Sequence, residues 1–100
     1  MEKILEIVDE FKTCPLMENQ SENFVLKLDE NNSNKVDVSF DIVSANYNTG
    51  TVNISMEKLD ESLVFCHVHT KFHDCTATVN LGHLYNYIAL VAAETEENLC

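Results

Sequence analysis

Residues 36–42 read VDVSFDI and residues 52–56 read VNISM, so apolar and polar side chains alternate strictly in both stretches. Successive side chains of a β-strand point to opposite faces of the sheet, so each stretch predicts a strand with one buried and one exposed face. The sequence NYNTG at residues 46–50 is typical of a turn between them. We therefore expect the two stretches to pair as neighbouring antiparallel strands.

The same alternation predicts a strand before this pair. Residues 24–29 read FVLKLD, with Phe24, Leu26 and Leu28 on the apolar side. The polar stretch at residues 18–23 is expected to be the loop that precedes this strand. The Asn-rich sequence ENNSN that follows it is typical of a turn into the next strand.

A fourth strand is predicted over residues 63–72, which read LVFCHVHTKF after a polar turn at residues 59–62. Its first residues are apolar on both faces, so the pattern leaves its register open. Residues 74–79 are either a loop or a short fifth strand.

Helical periodicity marks both ends of the chain. Residues 2–13 read EKILEIVDEFKT, with apolar side chains on one helical face and acidic side chains on the other, which predicts a helix. Pro15 is expected to end it, because the residue before a proline is pushed out of helical geometry. Asn80 is a predicted N-cap for a second helix over residues 80–97.

The predicted order is thus one helix, four or five antiparallel strands in a meander and a second helix, within a single domain at residues 1–100. Strands that are apolar on one face are typical of an antiparallel sheet with helices on one side and water on the other. We therefore predict a two-layer α+β fold. A chain of 100 residues has room for one hydrophobic core, which excludes a two-domain enzyme.

The charge is strongly acidic, with 17 Asp and Glu against 6 Lys, no Arg and a formal net charge of -11. Nucleic acid and anionic membranes select Lys and Arg, so neither is an expected partner. The apolar share of 45% is too high for a disordered acidic tail. The two glycines are too far apart to form a phosphate-binding loop, and no cofactor is expected.

The uncovered face of the predicted sheet is expected to be acidic and to bind a partner. On it we place Asp29, Asp37, Asp41 and Glu57, with Lys27 as the only basic residue. Such a face would attract a basic protein, because complementary charge raises the rate of association. The competing interpretation is an ordinary solvated surface.

Two further features are candidates for partner contact. Glu94 and Glu97 lie near the C-terminal end of the second predicted helix, where the helix dipole disfavours negative charge. Tyr47 lies in a predicted turn, and an exposed aromatic side chain in a loop is a common interface anchor.

Residues 66–75 read CHVHTKFHDC and contain a pattern compatible with metal binding. His67 and His69 would share one face of a strand, and His73, Asp74 or Cys75 would complete the ligand set. The competing interpretation is an exposed polar strand followed by a turn.

In its size, its acidity, its lack of a catalytic motif and its order of helix and sheet, the chain resembles, as a class, the immunity proteins that bacteria keep against nuclease toxins. The resemblance implies a small cytoplasmic inhibitor, not an enzyme, that covers a basic nuclease toxin or another nucleic-acid-binding protein. Three alternatives stay open. They are a phage-encoded inhibitor of a host defence nuclease, such as an anti-CRISPR protein, an acidic secretion chaperone with an exposed apolar strand edge or helix face, and a small metalloprotein.

A cytoplasmic location predicts that all four cysteines, Cys14, Cys66, Cys75 and Cys100, are free thiols. The expectation rests on residues 1–13, where acidic side chains interrupt the apolar run that a secretory signal needs. Thiol titration of the unfolded, unreduced protein is expected to find four thiols. Two or none would place the chain in an oxidising compartment and contradict the immunity interpretation.

Overall fold

Two helices pack on one face of an antiparallel sheet in this chain, as the sequence predicts. The computed structural model describes residues 2–12, 21–44 and 46–99. Within those ranges the elements are α1 (Glu2–Lys12), β1 (Ser21–Leu28), β2 (Lys35–Val43), β3 (Thr49–Lys58), β4 (Leu63–His69), β5 (Asp74–Asn80) and, after a 3-10 turn at Leu81–His83, α2 (Leu84–Leu99). Neither helix has the length and apolar character needed to cross a membrane.

The five described strands form a meander in the order β1-β2-β3-β4-β5, and each strand is antiparallel to the next. Phe40 of β2 lies opposite Val52 of β3, and Ile54 of β3 lies opposite Val68 of β4. All four side chains are buried on the helix-covered face. The faces predicted from the alternation are therefore confirmed.

An aromatic cluster joins the two layers. The rings of Phe24 in β1 and Phe40 in β2 stack with centroids 5.1 Å apart and an interplanar angle of 6°. The ring centroid of Phe11 in α1 lies 5.5 Å from that of Phe40 and 6.1 Å from that of Phe24. The ring centroid of Tyr85 in α2 lies 6.1 Å from that of Phe11. The cluster thus connects both helices to two strands of the sheet.

The loop predicted at residues 18–23 is wrong at its C-terminal end, because β1 begins at Ser21. The pairing of β1 with β2 shifts between Glu22 and Val25, and Asn23 has a φ of 54° there. An irregularity of this kind is typical of a β-bulge, and a run of polar residues in the sequence does not distinguish a bulged strand from a loop. Residues 18–20 and the predicted helix end at Thr13 to Pro15 lie outside the described residues.

The fourth strand is shorter than predicted and ends at His69 instead of Phe72. The Thr70 hydroxyl accepts hydrogen bonds from the backbone N–H groups of Phe72 and His73, and the Thr70 N–H donates to the His73 carbonyl. These bonds close a tight turn, so Asp74 begins a fifth strand that returns beside β4.

The exposed leucines of β1 mark the edge of the sheet. Leu26 lies opposite Val38 and Leu28 opposite Val36, so both leucines are on the helix-covered face, as predicted. They are nevertheless 42% and 52% exposed, because the buried core lies over β2, β3 and β4. The apolar edge of β1 is therefore left open to solvent.

The end of α2 is anchored to the turn between β2 and β3. The side chain of Asn48 donates a hydrogen bond of 2.8 Å from Nδ2 to the carbonyl of Leu99. Gly50, predicted to lie in the turn, belongs to β3, and a Cβ there would lie 3.3 Å from the Leu99 methyl carbons. At the other end, Asn80, predicted to cap a helix over residues 80–97, caps the 3-10 turn instead, since its Oδ1 accepts from the Gly82 N–H at 2.9 Å, and α2 runs over Leu84–Leu99.

Alanine substitution is expected to destabilise the protein more at buried apolar residues than at exposed ones. Phe40→Ala and Ile54→Ala should each lower the free energy of unfolding by about 2–5 kcal/mol, because each leaves a cavity in the core. Leu28→Ala on the open edge should cost less than about 1 kcal/mol. Chemical denaturation of the three variants measures these values, and equal losses at Ile54 and Leu28 would contradict the arrangement of the faces.

Candidate partner-binding face

The sheet face opposite the helices is uncovered in the described structure, and we call it the open face. Its side chains come from alternate positions on all five strands. They are Val25, Lys27, Lys35, Asp37, Ser39, Asp41, Thr51, Asn53, Ser55, Glu57, Phe65, His67, His69, Asp74, Thr76 and Thr78. Three predicted site residues, Asp37, Asp41 and Glu57, are therefore on one surface.

The open face is less acidic than predicted, because Lys27 is not its only basic residue. The second strand begins at Lys35, one residue before the alternation that predicted it, and Lys35 lies opposite Glu57. Lys27 lies opposite Asp37. Among the side chains that the structure describes, the face carries two lysines against four carboxylates, those of Asp37, Asp41, Glu57 and Asp74.

Hydrogen bonds from neutral donors hold two of these carboxylates. Asp41 accepts from the Asn23 side-chain amide and the Thr51 hydroxyl, both at 2.7 Å, and these two bonds lower its pKa. Glu57 accepts from the Asn32 side-chain amide at 3.2 Å. Among the described residues of this face no lysine forms an ion pair with a carboxylate. The carboxylates of Asp41 and Glu57 are thus positioned by amide and hydroxyl groups and not by lysines.

Asp74 joins two histidines on the open face. Its carboxylate lies 2.5 Å from Nε2 of His67 and 3.4 Å from Nδ1 of His69. The hydrogen bond with His67 is the main cause that lowers the pKa of Asp74. The sequence analysis placed Asp74 in a turn or among metal ligands, and the fifth strand is what brings it beside both rings.

A depression of about 330 Å³ lies on the open face between β1 and β4. Its lining residues on the open face are Val25, Lys27, Asp37, Ser39, Asn53, Ser55, His67 and His69. A larger hollow of about 540 Å³ lies elsewhere, between the start of α1 and the turn after β3, and its lining includes Glu2, Lys3, Lys58, Asp60 and Glu61. Of the predicted acidic residues, Asp37 lines the depression, and Glu57 lines a smaller hollow of about 180 Å³ on the same face.

Asp29 does not belong to the open face in the way that the sequence predicts. It follows the last residue of β1, and its Oδ1 accepts backbone hydrogen bonds from Asn31 at 2.8 Å and Asn32 at 3.1 Å. Such a side-chain bond to the backbone two residues on is the usual role of Asp in a turn. Asp29 closes the connection between β1 and β2.

Tyr47, Glu94 and Glu97 lie away from the open face. Tyr47 is 88% exposed, with a φ of 63°, in the turn between β2 and β3. Both glutamates are exposed on α2, which packs on the other side of the sheet. The bond from Asn48 to Leu99 brings that turn to the end of α2. The role of the three candidates in partner contact stays a prediction.

Three of the candidate metal ligands, His67, His69 and Asp74, lie together on the open face as hydrogen-bond partners, and the structure does not bring His73 or Cys75 to them. His67 and His69 share the open face, whereas His73 lines a small cleft between β5 and α2 with Cys75 and Glu94. Among residues 2–12, 21–44 and 46–99, no three His, Cys, Asp or Glu side chains converge as metal ligands.

Cys66 is buried in the core, and burial raises its pKa to about 11. The thiolate is the nucleophilic form of cysteine, so Cys66 is held in its unreactive thiol form at neutral pH. The structure therefore gives Cys66 a packing role.

Comparison with models of protein families, with curated protein sequences and with solved structures found no match to this chain.

Removal of one donor is expected to raise the pKa of Asp41. In Thr51→Val the carboxylate loses the hydroxyl bond, so its pKa should move up toward about 3.9, whereas Thr51→Ser should retain the lowered pKa. A carboxyl group whose pKa is lower in the folded state than in the unfolded state stabilises the fold at pH values above its unfolded pKa. This stabilisation is lost as the pH falls through the folded pKa. Acid unfolding of Thr51→Val should therefore depend less on pH below about pH 4.

NMR titration of the Asp41 carboxyl carbon measures this pKa directly in both variants. An unchanged pKa in Thr51→Val would mean that the Thr51 bond does not hold the carboxylate.

Proposed function

We propose that this chain is a small cytoplasmic binding protein that inhibits a basic protein, and that the partner docks on the open face. The partner is a nuclease toxin or another nucleic-acid-binding protein, and the inhibitor acts by covering the surface that would bind nucleic acid. The chain itself carries out no reaction in this proposal and needs no cofactor.

The observation that supports the proposal best is the set of carboxylates on the open face that hydrogen bonds hold in place without a lysine partner. Asp41, Glu57 and Asp74 are each held by neutral or histidine donors instead of lysines. A carboxylate that is already positioned loses little side-chain entropy when a cation binds to it. Its field also raises the rate of encounter with a basic surface. The arrangement suits fast and tight binding.

The exposed edge of β1 favours a second candidate, the acidic secretion chaperone. Val25 is 56% exposed on the open face, and Leu26 and Leu28 are exposed on the opposite face of the same strand. An apolar edge strand can bind an extended segment of another chain by adding a strand to the sheet. This candidate differs from the first in using the edge instead of the open face.

Capture experiments with matched charge reversals test the proposal. Asp37→Lys reverses one charge on the open face, and Glu6→Lys makes the same charge change at an exposed position of α1 on the other side of the molecule. From a lysate of the encoding organism, the unmodified chain and Glu6→Lys should retain a basic protein that Asp37→Lys loses. With the purified pair, Asp37→Lys should slow association at least about threefold at low salt, and added salt should reduce the difference.

The captured protein should cleave or bind nucleic acid, and the chain should inhibit that activity. Equal binding by Asp37→Lys and Glu6→Lys at all salt concentrations would contradict docking on the open face. Loss of binding in Leu28→Asp with no effect of Asp37→Lys would support the chaperone instead.

A further inference from the structure

The depression on the open face is rich in groups that accept hydrogen bonds. The Asp37 carboxylate, the hydroxyls of Ser39 and Ser55 and the side-chain amide of Asn53 come from two adjacent strands, and both His67 and His69 complete the lining on β4. Hydroxyl and amide oxygens accept hydrogen bonds, and an ionised carboxylate only accepts. The depression thus offers several acceptors around one charged group.

Asp74 fixes which nitrogen of each imidazole carries the proton. An ionised carboxylate cannot donate, so the ring nitrogens that face it, Nε2 of His67 and Nδ1 of His69, must donate. In the neutral rings the other nitrogens, Nδ1 of His67 and Nε2 of His69, then have lone pairs and accept. The two histidines therefore add acceptors to the depression as long as they are neutral.

We propose that the depression binds the guanidinium group of an arginine side chain of the basic partner, with Asp37 as its charged acceptor. This inference rests on the proposed function and specifies the group that the open face recognises. Guanidinium is planar, has five N–H donors and accepts no hydrogen bond, so it is complementary to several acceptors around one carboxylate. The exposed side chain of Val25 offers an apolar surface for the arginine stem.

The same geometry makes the binding sensitive to pH. Histidine is the side chain that ordinarily changes charge between about pH 5 and 8, and protonation of His67 and His69 would convert both acceptors into donors and add positive charge. The charged groups around the two rings are Asp74 on β5, Glu57 on β3, Asp37 on β2 and the lysines of β1 and β2. Carboxyl and ammonium groups ordinarily titrate outside this range. Guanidinium binding is therefore expected to weaken when the two rings are protonated.

Among the residues that the structure describes, Lys27 is the one lysine that lines the depression, and it lies opposite Asp37. It competes with an arriving guanidinium for the same carboxylate. Its removal should therefore strengthen binding, which is the opposite of what removal of Asp37 should do.

The test is an NMR titration of the isotope-labelled chain with N-acetyl-arginine amide at about pH 7.5 and about pH 5.5. At the higher pH the backbone signals of Ser39, Asn53 and Ser55 should shift together, and at the lower pH the shifts should disappear. N-acetyl-lysine amide should bind more weakly, and N-acetyl-citrulline amide, which is uncharged, should not bind.

Variants assign the binding to the depression. Asp37→Asn should weaken it about tenfold, because a hydrogen bond to a charged group is lost. Lys27→Met should strengthen it, and Glu6→Gln on α1 should leave it unchanged. His69→Gln, which keeps an acceptor that does not titrate, should preserve part of the binding at the lower pH.

Absence of shifts in the depression, equal binding of arginine and lysine, or equal binding at both pH values would overturn the inference. Two results distinguish failure of this inference from failure of the proposed function. If capture of the basic protein depends on Asp37 but the arginine probe leaves the depression unchanged, this inference alone is wrong. If the probe binds and Asp37→Lys has no effect on capture, the guanidinium site stands and the proposed function is wrong.

Discussion

The stacking of Phe24 on Phe40, with Phe11 of the first helix against both rings, determines which side of the sheet the helices cover. In a strand with strict alternation, the burial of one apolar residue assigns every other side chain of the strand to a face. Phe40 therefore places Asp37 and Asp41 of its own strand toward solvent. Paired residues of neighbouring strands lie on the same face, so the pairing also determines which side chains of β3 and β4 face solvent. The polar open face is a consequence of this aromatic contact.

Much of this arrangement could be predicted from the sequence, because local periodicity and burial agree. The faces of β2 and β3, the two helices and the cap at Asn80 follow from side-chain pattern alone. The membership of Lys35 in β2 was harder to predict. Lys35 is the first residue of the strand, and no apolar residue of the alternating pattern precedes it to show that the strand has begun. The end of β4 depends on the Thr70 hydroxyl, whose backbone bonds compete with continuation of the strand.

The candidate site was harder to predict than the fold, because it depends on pairings between strands. Asp74 meets the two histidines only when β5 lies beside β4, and the Asp29 carboxylate closes the turn after β1 instead of standing on the strand. The hydrogen bonds from Asn23 and Asn32 connect positions 18 and 25 residues apart in the chain. No spacing rule within one strand or one helix indicates such contacts. The asparagines of this sequence thus serve partly as neutral donors for its acidic surface.

The bond between Asn48 and Leu99 also has a consequence for the order in which the molecule is built during synthesis. Each strand of the meander pairs with the strand made just before it, so the sheet can form progressively as the chain emerges, and such sequential contacts favour rapid folding. The second helix is made after all five strands, and its last turn must return to a hairpin completed about 50 residues earlier. Until then the apolar side of the sheet is covered by α1 alone. A nascent chain paused before α2 would therefore expose an apolar surface to chaperones and to other unfinished chains.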